Sequence, residues 1–96
     1  MFVKLPRTDV ARVLGRQALR SGTSIGANYR EASRGRSKAE FVSKTGECLR
    51  EADETEYWLE LLVETGAVRP ERMAPLLAET RELIAIFTTI NKRAKE

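Results

Sequence analysis

The sequence predicts an all-α fold, an antiparallel up-down bundle of three helices forming a single domain over residues 1–96. Three observations carry that expectation. Apolar residues recur in steps of three and four along most of the chain. Gly35, and then Gly66 with Pro70 and Pro75, break the recurrence at two places. No segment alternates apolar and polar residues over more than four or five positions, so no sheet is expected.

The first helix is expected over about residues 8–33. Thr8 is placed to cap it, and Asp9 sits favourably against the dipole. Val10, Leu14, Gln17, Ser21, Ile25, Asn28 and Ala32 form a mixed stripe, with Ala11, Gly15, Ala18, Gly22 and Gly26 as a second stripe of small residues beside it. Each interior glycine costs about 1 kcal/mol relative to alanine, so a break near Gly22 to Gly26 is the competing reading. Their alignment on one face gives a reason to keep the helix whole, because a flat surface lets another helix approach closely.

The second helix, over about residues 37–65, gives the clearest pattern: Phe41, Thr45, Cys48, Ala52, Thr55, Leu59 and Leu62 lie on one stripe. Val42, Leu49 and Val63 widen it on one flank, and Trp58 and Leu61 on the other. Ser37-Lys38-Ala39-Glu40 is a capping box, and Gly66 suits the left-handed position past the end. The third helix, over about residues 70–94, opens at Pro70 or Pro75, with a regular start expected near Ala74, because proline suits a first turn better than an interior. Its stripe is Leu77, Thr80, Ile84, Phe87 and Asn91, with Leu76, Leu83 and Ile90 alongside.

Composition narrows the chemistry. Histidine is absent and there is one cysteine, so this chain alone forms no internal disulfide, no Cys/His zinc site and no histidine-based triad. No apolar run approaches the roughly 20 residues that span a bilayer, and the N-terminus lacks a signal-peptide core, so a reducing, cytoplasmic setting without a membrane is expected. The net charge of +3 conceals a segregation: residues 1–38 balance to +7, residues 39–66 to −6 and residues 67–96 to +2. Such a split marks either a nucleic-acid face or a basic helix lying beside an acidic one.

Three separated motifs carry a resemblance. Gln17-Ala18-Leu19-Arg20-Ser21-Gly22-Thr23-Ser24-Ile25-Gly26-Ala27-Asn28-Tyr29-Arg30-Glu31-Ala32 is followed by Arg36-Ser37-Lys38-Ala39-Glu40-Phe41-Val42-Ser43-Lys44. The run Glu51-Ala52-Asp53-Glu54-Thr55-Glu56-Tyr57-Trp58-Leu59-Glu60-Leu61-Leu62 and the segment Glu82-Leu83-Ile84-Ala85-Ile86-Phe87 come after them. In this order they resemble the bacterial four helix bundle protein family. That family is named from proteins encoded in intervening sequences of large-subunit ribosomal RNA genes, and it is related to the accessory variability protein of diversity-generating retroelements. The resemblance covers about residues 5 to 95 and implies a bundle that assembles into a ring-like homopentamer. Members of the family usually begin with a further helix ending near a Leu-Pro, which stands here as Leu5-Pro6 with only Met1 to Lys4 before it. The chain therefore resembles a four-helix bundle that lacks its first helix, through a start codon assigned late or as a variant whose apolar groove another subunit covers.

Arg12, Arg16 and Arg20 recur every four residues, and Arg30, Arg34, Arg36 and Lys38 continue the basic character, with Lys92, Arg93 and Lys95 as a basic tail. A row of arginines neutralises phosphates without reading sequence. The plainer interpretation is a solvated or ion-paired face. The aromatic residues fall mostly on apolar stripes, so stacking on bases is not expected. Glu47, Glu51 and Glu54 lead to Trp58 along one stripe. A di-iron bundle would pair such carboxylates with Glu-x-x-His ligands, and without histidine neither a metal, a cofactor nor a catalytic residue is expected. Ser24, Asn28, Glu31, Glu51 and Glu54 are instead expected to form an interhelical polar network that holds register. Trp58 is expected in the core or a subunit contact, and Cys48 as a buried small hydrophobe. The functional expectation is a non-enzymatic homo-oligomeric adaptor that binds RNA, DNA or a ribonucleoprotein through its basic surface, with a nucleic-acid-processing protein as a further partner. The rival is a protein-interaction scaffold with no nucleic-acid binding.

Overall fold

The computed structural model describes residues 7–35 and 37–96, and within them every regular element is a helix. Helix α1 spans Arg7–Ser33, α2 spans Lys38–Glu64 and α3 spans Pro70–Lys95. They lie side by side in a rod of 47 × 22 × 22 Å. Short connections make neighbours antiparallel, so α1 and α3 run the same way. The Leu5-Pro6 junction and Arg36 lie outside the described residues.

The stripes read from the sequence are the buried ones. On α2, Thr45, Cys48, Ala52, Thr55, Leu59 and Leu62 are all buried, with Leu61 beside them. Leu14, Ser21, Ile25 and Ala32 face them from α1, and Thr80, Phe87 and Asn91 from α3. The apolar residues gather into two clusters. At one end Leu14, Leu59, Leu61, Leu62 and Met73 pack together, and at the other Ile25, Cys48, Ala52 and Phe87. Ser37 caps α2, its hydroxyl accepting from the Glu40 amide at 3.1 Å. Gly66, at φ 78°, ends it in the left-handed conformation that only glycine adopts freely, and its N–H donates to the Val63 carbonyl at 3.0 Å.

Three local expectations are corrected. Thr8 is not an N-cap, because the helix already includes Arg7. Helix α3 starts at Pro70, as its expected bounds have it, with Arg69 as its cap, but it is regular from there rather than from near Ala74, and Pro75 lies inside it. Burial of Met73 under Leu59 and Leu62 holds the first turn in place, so the chain tolerates the amide that Pro75 removes. The glycine stripe leaves α1 unbroken but receives no helix among the described residues: a Cβ added at Gly15, Gly22 or Gly26 would meet nothing within 4 Å.

That emptiness follows from the arrangement. Both α1 and α3 pack on α2, yet no Cα of α1 comes within 8 Å of a Cα of α3. Their side chains do meet over the centre of α2, where the Tyr29 ring lies 5.7 Å from that of Phe87. Above that level an open trough runs between them.

Candidate nucleic-acid interface

At about 100° per residue, Arg12, Arg16 and Arg30 fall within a strip about 40° wide on the exposed edge of α1, and Arg34 follows in the turn just past its end. All four are exposed. Arg12 comes no nearer to an acid than 3.8 Å from Asp9, one turn away on its own helix. Arg16, Arg30 and Arg34 make no ion pair or side-chain hydrogen bond among the described residues. From Arg12 to Arg34 the strip runs about 33 Å at 1.5 Å per residue.

Arg20 departs from this row. It lies about 40° further round the helix than Arg16, and turns toward the acidic second helix. Its Nη2 pairs with Glu54 Oε1, and its Nη1 lies 3.6 Å from Glu51 Oε2. The longer contact is an ion pair without a hydrogen bond, and that buried Glu51 oxygen accepts none elsewhere. Glu54 Oε1 also takes the Trp58 indole N–H at 3.4 Å. Trp58 is half-buried against the Leu14 cluster, edge-on to Tyr57 at 5.1 Å. Arg36 lies outside the described residues.

The polar network takes a form different from the expected one. Glu51 and Glu54 meet at Arg20, whereas Glu31 crosses to Lys44, its carboxylate 2.9 Å from the ammonium. Among the described residues, none of Ser24, Asn28, Glu31, Glu51 and Glu54 bonds another of the five. Two junctions escaped sequence reasoning. Ser21 and Thr55 set their hydroxyls 2.9 Å apart between α1 and α2. Asn91 Nδ2 donates to the Val42 carbonyl and to Thr45 Oγ1, each at 2.9 Å, tying α3 to α2. Their positions on buried stripes were visible, and a polar residue on such a stripe requires a partner. The partner's identity depends on how the helices slide past each other, which periodicity does not encode.

Glu47, the remaining carboxylate of the acidic stripe, has Lys44 Nζ at 3.6 Å and Arg50 Nη2 at 3.9 Å. Among the described residues no group of three or more acidic or cysteine side chains is gathered to hold a metal ion. Cys48 is fully buried with its Sγ 3.6 Å from the Ile25 carbonyl oxygen, and burial pushes its thiol pKa up. No described helix is long and apolar enough to cross a membrane.

The Glu31–Lys44 pair sets a small pH dependence. The hydrogen bond to Lys44 lowers the Glu31 carboxyl below its ordinary 4.5, and the same contact raises the Lys44 ammonium above its ordinary 10.5. A lowered acid contributes stability that is present above the unfolded value and lost as pH falls through the folded one. A raised ammonium contributes stability that is lost as pH rises through its folded value. Lys44→Met is therefore expected to narrow its stability gap to wild type below pH 4.5 and above pH 10.5, with the gap widest between them. Urea unfolding across that range reads it, and a gap independent of pH contradicts it.

Comparison with known proteins gives a consistent family setting. Residues 3–89 match the sequence profile of the 23S rRNA-intervening sequence protein family. The structure is similar to the crystal structure of a protein of unknown function from the S23 ribosomal protein family of Bacteroides thetaiotaomicron, with a TM-score of 0.80 and 45% identity. The similarity covers 83% of this chain and 74% of that one. No curated protein matches the sequence.

Proposed function

The chain belongs to the 23S rRNA-intervening sequence protein family, and from that premise we propose that it is a non-enzymatic, homo-oligomeric helical adaptor that holds RNA or DNA by the basic edge of α1. The observation that supports this reading is the strip of Arg12, Arg16, Arg30 and Arg34, which the acidic face of α2 leaves without interhelical partners among the described residues. Guanidinium groups so spaced follow a phosphate backbone, and without aromatics between them they do not read bases. Lys92 and Arg93 extend the charge at the same end of the rod as Arg34, where Lys38 Nζ holds the Glu96 main-chain oxygen at 2.6 Å.

The test is titration of fluorescent single-stranded RNA and duplex DNA between about 50 and 200 mM salt. Replacing Arg12, Arg16, Arg30 and Arg34 by glutamine is expected to reduce the slope of log K against log salt by about 3 to 4, the loss of four phosphate contacts. Arg20→Gln is expected to leave the slope nearly unchanged, because Glu51 and Glu54 already neutralise that arginine. Absence of binding at low salt rejects the reading. The second reading, a protein-interaction scaffold, is favoured by the open trough beside α1, which is apolar where a nucleic-acid groove would be charged.

A further inference from the structure

Positive charge gathers at a second place besides the α1 row. At the end of the rod where α1 and α3 finish and α2 begins, Arg34, Lys38, Lys92, Arg93 and Lys95 are all exposed. Two contacts fix their heights. The Tyr29 and Phe87 rings lie side by side, and α1 and α3 run the same way. Arg34 and Lys92, each five residues beyond those rings, therefore both stand about 7.5 Å further along the rod, at about 1.5 Å per residue. Lys38, whose Nζ holds the Glu96 main-chain oxygen at 2.6 Å, brings the first turn of α2 to the same end. All three helices thus deliver cations to one end face, about 22 Å across.

The packing of the helices does not account for this charge. Arg20, Lys44 and Arg81 are each drawn onto carboxylates of another helix. The five cations of the end face have no ion pair among the described residues, and of the acids next to them in the chain Glu31 is held by Lys44. Like charges left together on one face repel each other, and their summed field attracts a polyanion. The two basic surfaces also look in different directions. The α1 row faces sideways from the rod, the end face looks along its axis, and Arg34 stands at the corner between them. A straight duplex laid along Arg12, Arg16 and Arg30 runs on parallel to the axis and leaves Lys38 and Lys92, on the other two helices, without a phosphate.

We propose that the nucleic acid held by this protein is branched: one arm lies along α1, and the backbone turns at Arg34 across the end face, where Lys38, Lys92 and Arg93 take its phosphates. This rests on the nucleic-acid half of the functional reading and specifies the shape of the ligand. Phosphate contacts from lysine and arginine carry no sequence information, so the preference is for a shape and not for a base order. A continuous duplex reaches both surfaces only by bending against its own stiffness, whereas a junction turns the corner without that cost.

Titration of a labelled three-way junction and of a linear duplex with the same total of base pairs, each made in RNA and in DNA, tests the proposal. Arms of about ten base pairs match the α1 row at roughly 3.4 Å per pair. Wild type is expected to bind the junction about tenfold or more tighter than the duplex, with a salt slope steeper by about 2 to 3 for the three further phosphates. The combined variant Lys38→Gln, Lys92→Gln and Arg93→Gln is expected to bring the junction down to the affinity of the duplex, while duplex binding stays within about twofold of wild type. All three side chains are exposed, so the variant is expected to keep its helical circular dichroism. Arg93→Gln alone, expected to remove about a third of the added slope, repeats the test with the least disturbance. A preference for the junction in either RNA or DNA supports the proposal and shows which sugar the surface takes. Equal affinity for the two shapes, or a combined variant that weakens both alike, overturns it and leaves the α1 reading standing. Absence of binding to either shape overturns both.

Discussion

Asn91→Asp is expected to cost about 3–5 kcal/mol at pH 7, the penalty for an uncompensated charge in a packed interface. Asn91 is 7% exposed and spends both amide hydrogens, one on the Val42 carbonyl and one on Thr45 Oγ1. An aspartate presents oxygen to the Val42 carbonyl, acceptor against acceptor, and carries its charge where water does not reach. Burial raises its folded pKa above the ordinary value of about 3.9. The penalty is thus full above the folded value and shrinks as pH falls through it, because protonation removes the charge and restores one donor. Urea unfolding of variant and wild type at pH 7 and pH 4 measures the difference. A loss equal at both would show that packing, rather than charge, determines the site.

Phe87→Ala is expected to cost a similar about 3–5 kcal/mol, for a different reason. Phe87 is 5% exposed and touches the cluster of Ile25, Cys48 and Ala52, with the Tyr29 ring against it. In this cluster it is the residue of α3 that meets both α1 and α2, so its removal opens a cavity that no single helix shift closes. Ile86→Ala, one position away and 50% exposed, is the control: its expected effect on monomer stability is within about 0.5 kcal/mol. Thermal or urea unfolding that ranks the two variants equally would contradict the assignment of Phe87 to the common core.

The features legible in the sequence were those set by local chemistry. Helical phase placed Thr45, Cys48, Ala52 and Leu59 on the buried side of α2, because a period of 3.6 residues leaves little choice once three or four apolar positions align. Ser37 and Gly66 marked their helix end because a side-chain cap and a left-handed residue are local devices. What escaped depended on neighbours. The arginine row was visible as a row, but Arg20 left it for Glu51 and Glu54, since salt bridges depend on a second helix at a particular height. Asn28 attracted attention as a polar residue on a buried stripe, whereas Asn91, with the same credentials, is the one that bridges helices. The glycines of α1 were read as a flat face on an unbroken helix, and no described helix of this chain lies on it, because a sequence specifies a surface more readily than what lies across it.

Finally, the arrangement in which α1 and α3 each lean on α2 without meeting at the backbone orders the energetics in series. In a closed bundle every helix is braced by two others, and losing one contact leaves a second. Here the two outer helices stand as neighbouring links on a common spine, and the coupling between them is confined to side chains around Phe87 and Met73. Such a chain approaches the nearest-neighbour limit of repeat proteins, in which partial opening at one end does not require unfolding of the whole. Cooperativity in this molecule is therefore borrowed from whatever joins α1 to α3, and an occupant of the trough would turn a row of three helices into a closed structural unit.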